Sequence, residues 1–320
     1  MPDNGKSVSL INRKIKEGKA VVLSDAEFVR EMRTGHNVGV PDIDVVTTSW
    51  DAVIAGTAVM LCVPVAKRGI FTRARRIWLN DVPGFPGPAP NERLGLVDTL
   101  IFAGQLSRNK QTDYDGASLF VDILRKEKVE VECLSEEGDT YRNTFTIDQL
   151  QFARMYIYNC FLDRSSVSDG RITRNPYRRL SPVAAGSKVL VNRATGIVVG
   201  SGSQSTPERR ALSLAADMFD MDPEVMTAVG GNAGTAITNS IALAIPVLSE
   251  EGLKDLSSWL LADKFAGQNE GLHSTENDMS QYLKELVMKG LFLLTDSDMK
   301  TTAFDPVTPR GLAGLKGGGK

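Results

Sequence analysis

Apolar and polar positions along the chain fall into two regimes. Residues 24–34, SDAEFVREMRT, set Phe28, Val29 and Met32 on one helical face, and Ser24 stands three residues before Glu27. That is a capping box ahead of an amphipathic run, so a helix is predicted there. From 38 to 135 the segments VVTTSW, AGTAVMLCVPV, TRARRIWL, TLIFAGQL, SLFVDIL and VEVECL are short and rich in β-branched and aromatic residues. They are separated by Gly, Pro, Asn and Asp, the punctuation of strands. In KVEVECL the apolar Val129, Val131 and Cys133 alternate with Glu130 and Glu132, which puts the glutamates in water. SEEGDT then reads as a solvated hairpin turn, and the Pro/Gly-dense span 81–95 as a long exposed loop.

Further on, IDQLQFARMYIYNCFL (147–162) is the first strongly apolar helix candidate. From 206 the spacing predicts helices throughout. They are ERRALSLAADMF, a short one at MDPEVMTAV with Asp222 as cap and Pro223 in the first turn, TAITNSIALAI, SEEGLKDLSSWLLADKF and STENDMSQYLKELVMKGLFLL. Strand runs followed by helix runs predict an α+β protein: a β-rich N-terminal region followed by an all-α C-terminal region. The organisation expected is a mobile arm at 1–23 and a β-rich domain with flanking helices at 24–195, containing a basic connector at 164–193. A Gly/Ser joint at 196–206, a helical domain at 207–300 and a flexible tail at 301–320 follow.

Composition changes this picture little. The chain has 320 residues, 42% apolar and 24% charged, enough for a sizeable core. The net charge of −2 gives no global signature for a polyanion. Three distant cysteines, Cys62, Cys133 and Cys160, show no C-x-x-C spacing and read as reduced core thiols. No apolar stretch is long enough for a signal peptide or a membrane span, so an intracellular protein is expected.

Candidate chemistry is sparse. The loop TGIVVGSGSQSTPERR offers Gly200 and Gly202 but Ser205 where a dinucleotide fingerprint needs its third glycine, and no β-α-β alternation surrounds it. Ser205-Thr206-Pro207-Glu208 instead fits a capping box. His36 and His273 stand alone. Asp113, Asp115 and Asp122 have the residue types of a Mg²⁺ site and equally those of a turn. The basic residues are more informative. Residues 151–200 carry eight Lys/Arg against two Asp, whereas 201–320 carry ten basic and sixteen acidic residues. Two clusters stand out: Lys67, Arg68, Arg73, Arg75 and Arg76, followed by Trp78; and Arg171, Arg174, Arg178 and Arg179 around Tyr177. Arginine forks bind phosphate, and aromatics among them stack bases.

The reading these features favour is a non-enzymatic, self-assembling structural protein of nucleocapsid or coat type, cytoplasmic or within a virion. Its partners would be single-stranded nucleic acid, RNA first, and further copies of itself. It would need no cofactor or metal. The alternatives are a protein-interaction module of matrix or transport type, and a Mg²⁺-dependent or nucleotide-binding enzyme using Asp113, Asp115 and Asp122 or the 200–205 loop.

Overall fold

Several apolar runs in the second half of the chain, Ala211–Asp217 and Ala236–Pro246 among them, are strands covered on both faces, not helices. The structure, a computed structural model, describes residues 6–34, 38–52, 56–87, 91–109, 113–161, 165–168, 171–174, 183, 185–206, 211–229, 236–261 and 274–295. In chain order its first elements are α1 (Val8–Lys16), β1 (Val22–Ser24), α2 (Asp25–Arg33), β2 (Val45–Ala52), β3 (Thr57–Pro64), β4 (Ala74–Leu79), β5 (Val82–Pro86) and β6 (Leu96–Phe102). Then come α3 (Gly116–Leu124), β7 (Val129–Ser135), β8 (Thr140–Phe145), β9 (Ala153–Phe161), β10 (Ser165–Ser168) and β11 (Arg171–Arg174). The last are β12 (Lys188–Val191), β13 (Ala194–Ser201), β14 (Ala211–Asp217), β15 (Met226–Val229), β16 (Ala236–Pro246), α4 (Glu250–Leu261) and α5 (Ser274–Met288).

A 14-stranded sheet runs in the order β1-β2-β16-β12-β13-β14-β9-β3-β6-β5-β4-β7-β8, with β15 added on β16. Only β1–β2 pairs parallel among the described strands; the rest are antiparallel. The expectation of an all-α C-terminal region is therefore wrong. ALSLAAD and AITNSIALAIP are β14 and β16, and the helix expected over 147–162 is largely β9. The Gly/Ser joint begins inside β13, and part of the supposed exposed loop at 81–95 is β5. SLFVDIL errs the other way and lies in α3.

The physical reason is visible at β16. Ile241, Leu243 and Ile245 enter one core, with Val46 and Trp50 of β2, Phe28 of α2 and Leu253, Leu256 and Leu260 of α4. Ala242 and Ala244 enter a second core, with Val45 of β2, Ile11 and Ile15 of α1 and Leu283 and Val287 of α5. A strand buried on both faces has no polar face, so its period of two vanishes and it looks like a buried helix. Helices on both faces make this end of the sheet a three-layer sandwich. Polar residues of β2 are buried but paired: the Thr47 hydroxyl donates to Ser280 O of α5 at 3.0 Å, and the Ser280 hydroxyl to Thr47 O at 2.9 Å. The segment before β1, expected to be mobile, docks through Val8, Ile11 and Ile15.

At the opposite end, β3-β6-β5-β4-β7-β8 curls until Asn143 Nδ2 of β8 donates to Pro64 O of β3 at 3.0 Å. Leu61, Ile77, Leu79, Val131, Phe145 and Phe120 of α3 are buried in this curl. Two tight hairpins shape the sheet. Asn80 and Asp81 (φ 46° and 64°) join β4 to β5, and Asn192 and Arg193 (φ 49° and 70°) join β12 to β13. Two central residues with positive φ are the signature of the type I′ turn, whose twist matches the flanking strands.

Candidate small-molecule groove

The Asn80–Asp81 turn anchors a groove of about 360 Å³ on the outer face of the curled end. Its position follows from side-chain bonds. The Asn80 backbone N–H donates to Glu130 O at 2.9 Å, and its side-chain Oδ1 accepts from the Glu130 N–H at 2.8 Å. Asn80 Nδ2 donates to the Tyr114 hydroxyl at 3.0 Å, which donates to Asp122 on α3 at 2.6 Å. Burial, with the neighbouring Asp122 carboxylate, holds the Tyr114 phenol far above its ordinary range, so it stays a donor.

Around this fixed turn the groove has charged walls and an aromatic floor. Arg108 Nε donates to Asp81 at 2.6 Å and its Nη1 to Glu132 at 2.8 Å, with the guanidinium 4.5 Å from the centre of the Trp78 ring. Arg142, across the β7–β8 hairpin from Glu132, donates to the other carboxylate oxygen at 3.1 and 2.9 Å. Bonds from Arg108 and Arg142 hold the Glu132 carboxyl below its usual range. Bonding to Glu132, and then to Asp81, raises Arg108. Glu130, Asn143 and Thr144 complete the rim. Both signs of charge, amide and hydroxyl groups and an indole within one small cavity suit a small amphoteric molecule.

The residues expected to bind nucleic acid lie elsewhere. Lys67, Arg68 and Arg73, between β3 and β4, and Arg75 and Arg76, early in β4, are all exposed. An irregularity in the β4–β7 register between Ala74 and Arg76 turns two successive arginines outward. Arg73 pairs with Glu136 at 3.4 Å. Arg171 and Arg174 sit on the β10–β11 hairpin, while Tyr177, Arg178 and Arg179 lie outside the described residues, as do His36 and His273. The aspartates have local tasks. Asp115 Oδ1 caps α3 by accepting from the Ser118 N–H at 2.9 Å, and Asp122 holds Tyr114. Among the described residues, no three His, Cys, Asp or Glu side chains gather as a metal site would require.

The Gly/Ser loop is a backbone junction. A Cβ on Gly202 would lie 2.7 Å from both Asn159 Oδ1 and Tyr158 O. Asn159 Oδ1 accepts from the Gln204 N–H at 2.7 Å, and the Gly202 N–H donates to Ala211 O at 2.8 Å. The loop's donors thus face β9 and β14. Ser205 Oγ accepts from the N–H of Ala211, the first residue of β14, at 3.1 Å, and from Ala211 the expected helix is a strand. All three cysteines are buried and outside any disulfide.

Sequence reasoning passed over Trp78, Arg108, Glu132 and Arg142 as a site. One signal was available: a hairpin turning at SEEGDT sets Glu132 opposite Arg142. Arg108 comes from a loop after β6 and carries no local signal.

Fold and groove together define a mixed-sheet protein flanked by helices, with a small-molecule cavity at its curled end. A family of homocysteine biosynthesis enzymes, described by sulfur incorporation, matches residues 20–165 and 172–259. The chain belongs to that family. A Methanothermobacter thermautotrophicus protein named only as uncharacterized is 34% identical over 281 residues, 78% of this chain and 65% of its own length. A second such protein, from Methanocaldococcus jannaschii, is 30% identical over 270 residues, 75% of this chain and 67% of its own length. The L-aspartate semialdehyde sulfurtransferase of Methanosarcina acetivorans is 25% identical over 285 residues, 77% of this chain and 55% of its own length. The chain thus spans between about half and two thirds of these curated relatives. No solved structure matches.

Family membership overturns the nucleocapsid or coat reading, its viral and RNA-binding vocabulary and its nucleic-acid partner. Arginine clusters record local exposure of charge, and composition does not distinguish a polyanion surface from a wet strand edge. Among the described residues no helix is long and apolar enough to cross a membrane.

Proposed function

We propose that this protein incorporates sulfur into a small amino-acid aldehyde, of the L-aspartate semialdehyde type named for two of its relatives, to form homocysteine. The observation that carries this reading is the family match, which runs from β1 into α4 and includes every residue lining the groove. In the proposed pose Arg142 takes the substrate's carboxylate, Glu130 its ammonium, and the Trp78 ring supports the carbon chain. Arg142 already commits Nε and one Nη to Glu132, which fixes its planar fork and lowers the entropy cost of holding a second carboxylate.

The test is an anaerobic assay with the aldehyde, sulfide and a dithiol, reading homocysteine by mass spectrometry against a protein-free blank. Wild-type protein is expected to exceed the blank. Trp78→Ala and Arg142→Ala should each lower kcat/KM by about tenfold, mainly through KM, the size of one lost charged or aromatic contact. Homocysteine no higher than the blank rejects the activity. Unchanged kinetics in both variants of an active protein would remove the groove from the mechanism.

A further inference from the structure

We infer that this chain forms a two-fold dimer through the outer face of its central sheet, strand face on strand face. The cross-strand register defines that face. Lys188 of β12 stands opposite Ile197 of β13, Ile197 opposite Ala215 of β14, and Ala215 opposite Tyr156 of β9. Tyr156 stands opposite Ala58 of β3, and Ala58 opposite Phe102 of β6. Directly opposed residues of antiparallel strands point to the same side of a sheet, so this is one row on one face. In the next row Phe85 of β5 stands opposite Leu100 of β6, and Asp217 of β14 opposite Arg154 of β9.

The helices that cover this face stop at its β12 end. Leu190 of β12 shares a core with Ile11 of α1 and Leu283 of α5. Lys188 Nζ, 5.9 Å from the centre of the Phe292 ring, marks the limit of that layer among the described residues. Beyond it the face carries apolar side chains into water. Phe85 and Phe102 are 54% and 40% exposed, with ring centres 6.0 Å apart, and Ile197 and Val199 are each 45% exposed. The alanines of the row are buried between larger neighbours. The opposite sides of these strands are already spent on the main core, through Val59, Ile101, Ile157 and Val198. Contiguous exposed apolar surface of this kind marks a protein interface.

Three features select a second copy of the chain as the occupant. The first is size. Six strands from β13 to β5, spaced by about 4.8 Å, and about six residues of 3.3 Å along each give a footprint of about 600 Å², so two copies bury about 1,200 Å², within the range of specific interfaces. The second is charge. Arg154 and Asp217 oppose each other near the middle of the face, which therefore calls for a partner of neither sign. The third is layout. The exposed aromatics stand at the β5–β6 end and the exposed aliphatics on β13, with β9 and β3 midway between. A two-fold axis parallel to the strands, between β9 and β3, lays the Phe85–Phe102 ridge of each copy against the Ile197–Val199 ridge of the other. That is the reciprocal contact closed two-fold symmetry requires. The strands of the two copies then lie within about 30° of each other, the aligned packing of stacked sheets. Strands β13, β14, β9, β3 and β6 are each bonded to a neighbour on both sides, so the partner meets side chains and not a strand edge.

The experiment is sedimentation equilibrium of the full chain over a wide concentration range, where a dimer is expected. Phe102→Glu and Ile197→Lys, each checked for a native circular dichroism spectrum, should weaken association by about a hundredfold or more, because each substitution enters a two-fold interface twice. Leu291→Glu, at a position 71% exposed after α5 and off this face, should leave it unchanged. Mixed together, the Phe102→Glu and Ile197→Lys chains should associate more tightly than either does with itself, since opposite charges meet at one contact and the other contact is native. A wild-type chain monomeric at every concentration would overturn the inference and leave the face to a different partner, or to the additional length of the longer relatives. So would a dimer that survives both substitutions, or a mixture no tighter than its parents.

Discussion

Replacing Gly95 with alanine should lower the thermal midpoint by about 10 °C or more, the range of severe backbone substitutions in a protein of this size. Gly95 ends the turn before β6 with φ +82°, where an L-residue costs about 1–2 kcal/mol. Space makes the larger demand. A Cβ would lie 1.9 Å from Ala66 O, 2.8 Å from Ala66 C and 3.1 Å from Lys67 C, all backbone atoms that cannot rotate away. The approach is close because Gly95 O accepts from the Val65 and Ala66 N–H groups at 2.8 and 3.2 Å, and the Gly69 N–H donates to Arg93 O at 2.9 Å. These bonds clamp the connection after β3 onto the turn before β6. Gly69 is the control: its φ is +79°, yet nothing lies within 4 Å of its Cβ position. Gly69→Ala should show the conformational cost alone, about 1–2 kcal/mol. Calorimetry of both variants separates the two costs, and equal midpoints would refute the close approach at Gly95.

The contrast between legible and illegible segments has the same local origin. Helix α2 was readable because Ser24 and Glu27 form both bonds of the capping box and Phe28 alone is wholly buried on its face. Strand β7 was readable because one side of it meets water. Helix α4 showed its stripe of Leu253, Leu256 and Leu260 for the same reason. Strands β9, β14 and β16 were not readable by period, since they sit inside the sheet with apolar contacts on both faces. Their composition carried a weaker signal: Tyr156, Ile157, Tyr158 and Phe161 in β9, and Ile237, Thr238, Ile241 and Ile245 in β16, are β-branched or aromatic. The groove was hidden for another reason. Trp78, Arg108 and Glu132 are far apart in the sequence; the pairing of β4 with β7 sets Trp78 beside Glu132, and the Arg108 N–H bond to Asp81 O brings in Arg108.

Acid should destabilise this protein through Asp44 more than through any exposed carboxylate. Asp44 is 1% exposed, yet it is bonded on every side. Lys14 Nζ donates to Oδ1 at 2.9 Å, Lys6 Nζ lies 3.1 Å from the same oxygen, and the Val21 N–H donates to Oδ2 at 2.9 Å. Its backbone joins in, as the Asp44 N–H donates to Val21 O at 2.9 Å and Asp44 O accepts from the Val247 N–H at 3.0 Å. One residue thus ties α1, the approach to β1 and the end of β16 together. Burial alone would raise the carboxyl's pKa, but bonds from Lys14, Val21 and Lys6 outweigh it and hold the group below its ordinary value. A carboxyl depressed in the folded state contributes stability that is full above its unfolded pKa of about 3.9 and is lost as pH falls through the folded value. Glu27 acts in the same sense: burial opposes ionisation, but bonds from Lys284 and Ser24 more than offset it. Asp44→Ala should cost about 3–5 kcal/mol at pH 7, because it leaves the ammonium of Lys6, 8% exposed, without its counter-charge. The variant should also lose part of the fall in stability below about pH 4, the part Asp44 supplies. Urea unfolding of wild type and variant at pH 7, 5, 4 and 3 checks both signs. Parallel pH curves for the two proteins would show that Asp44 does not link α1 to the sheet electrostatically.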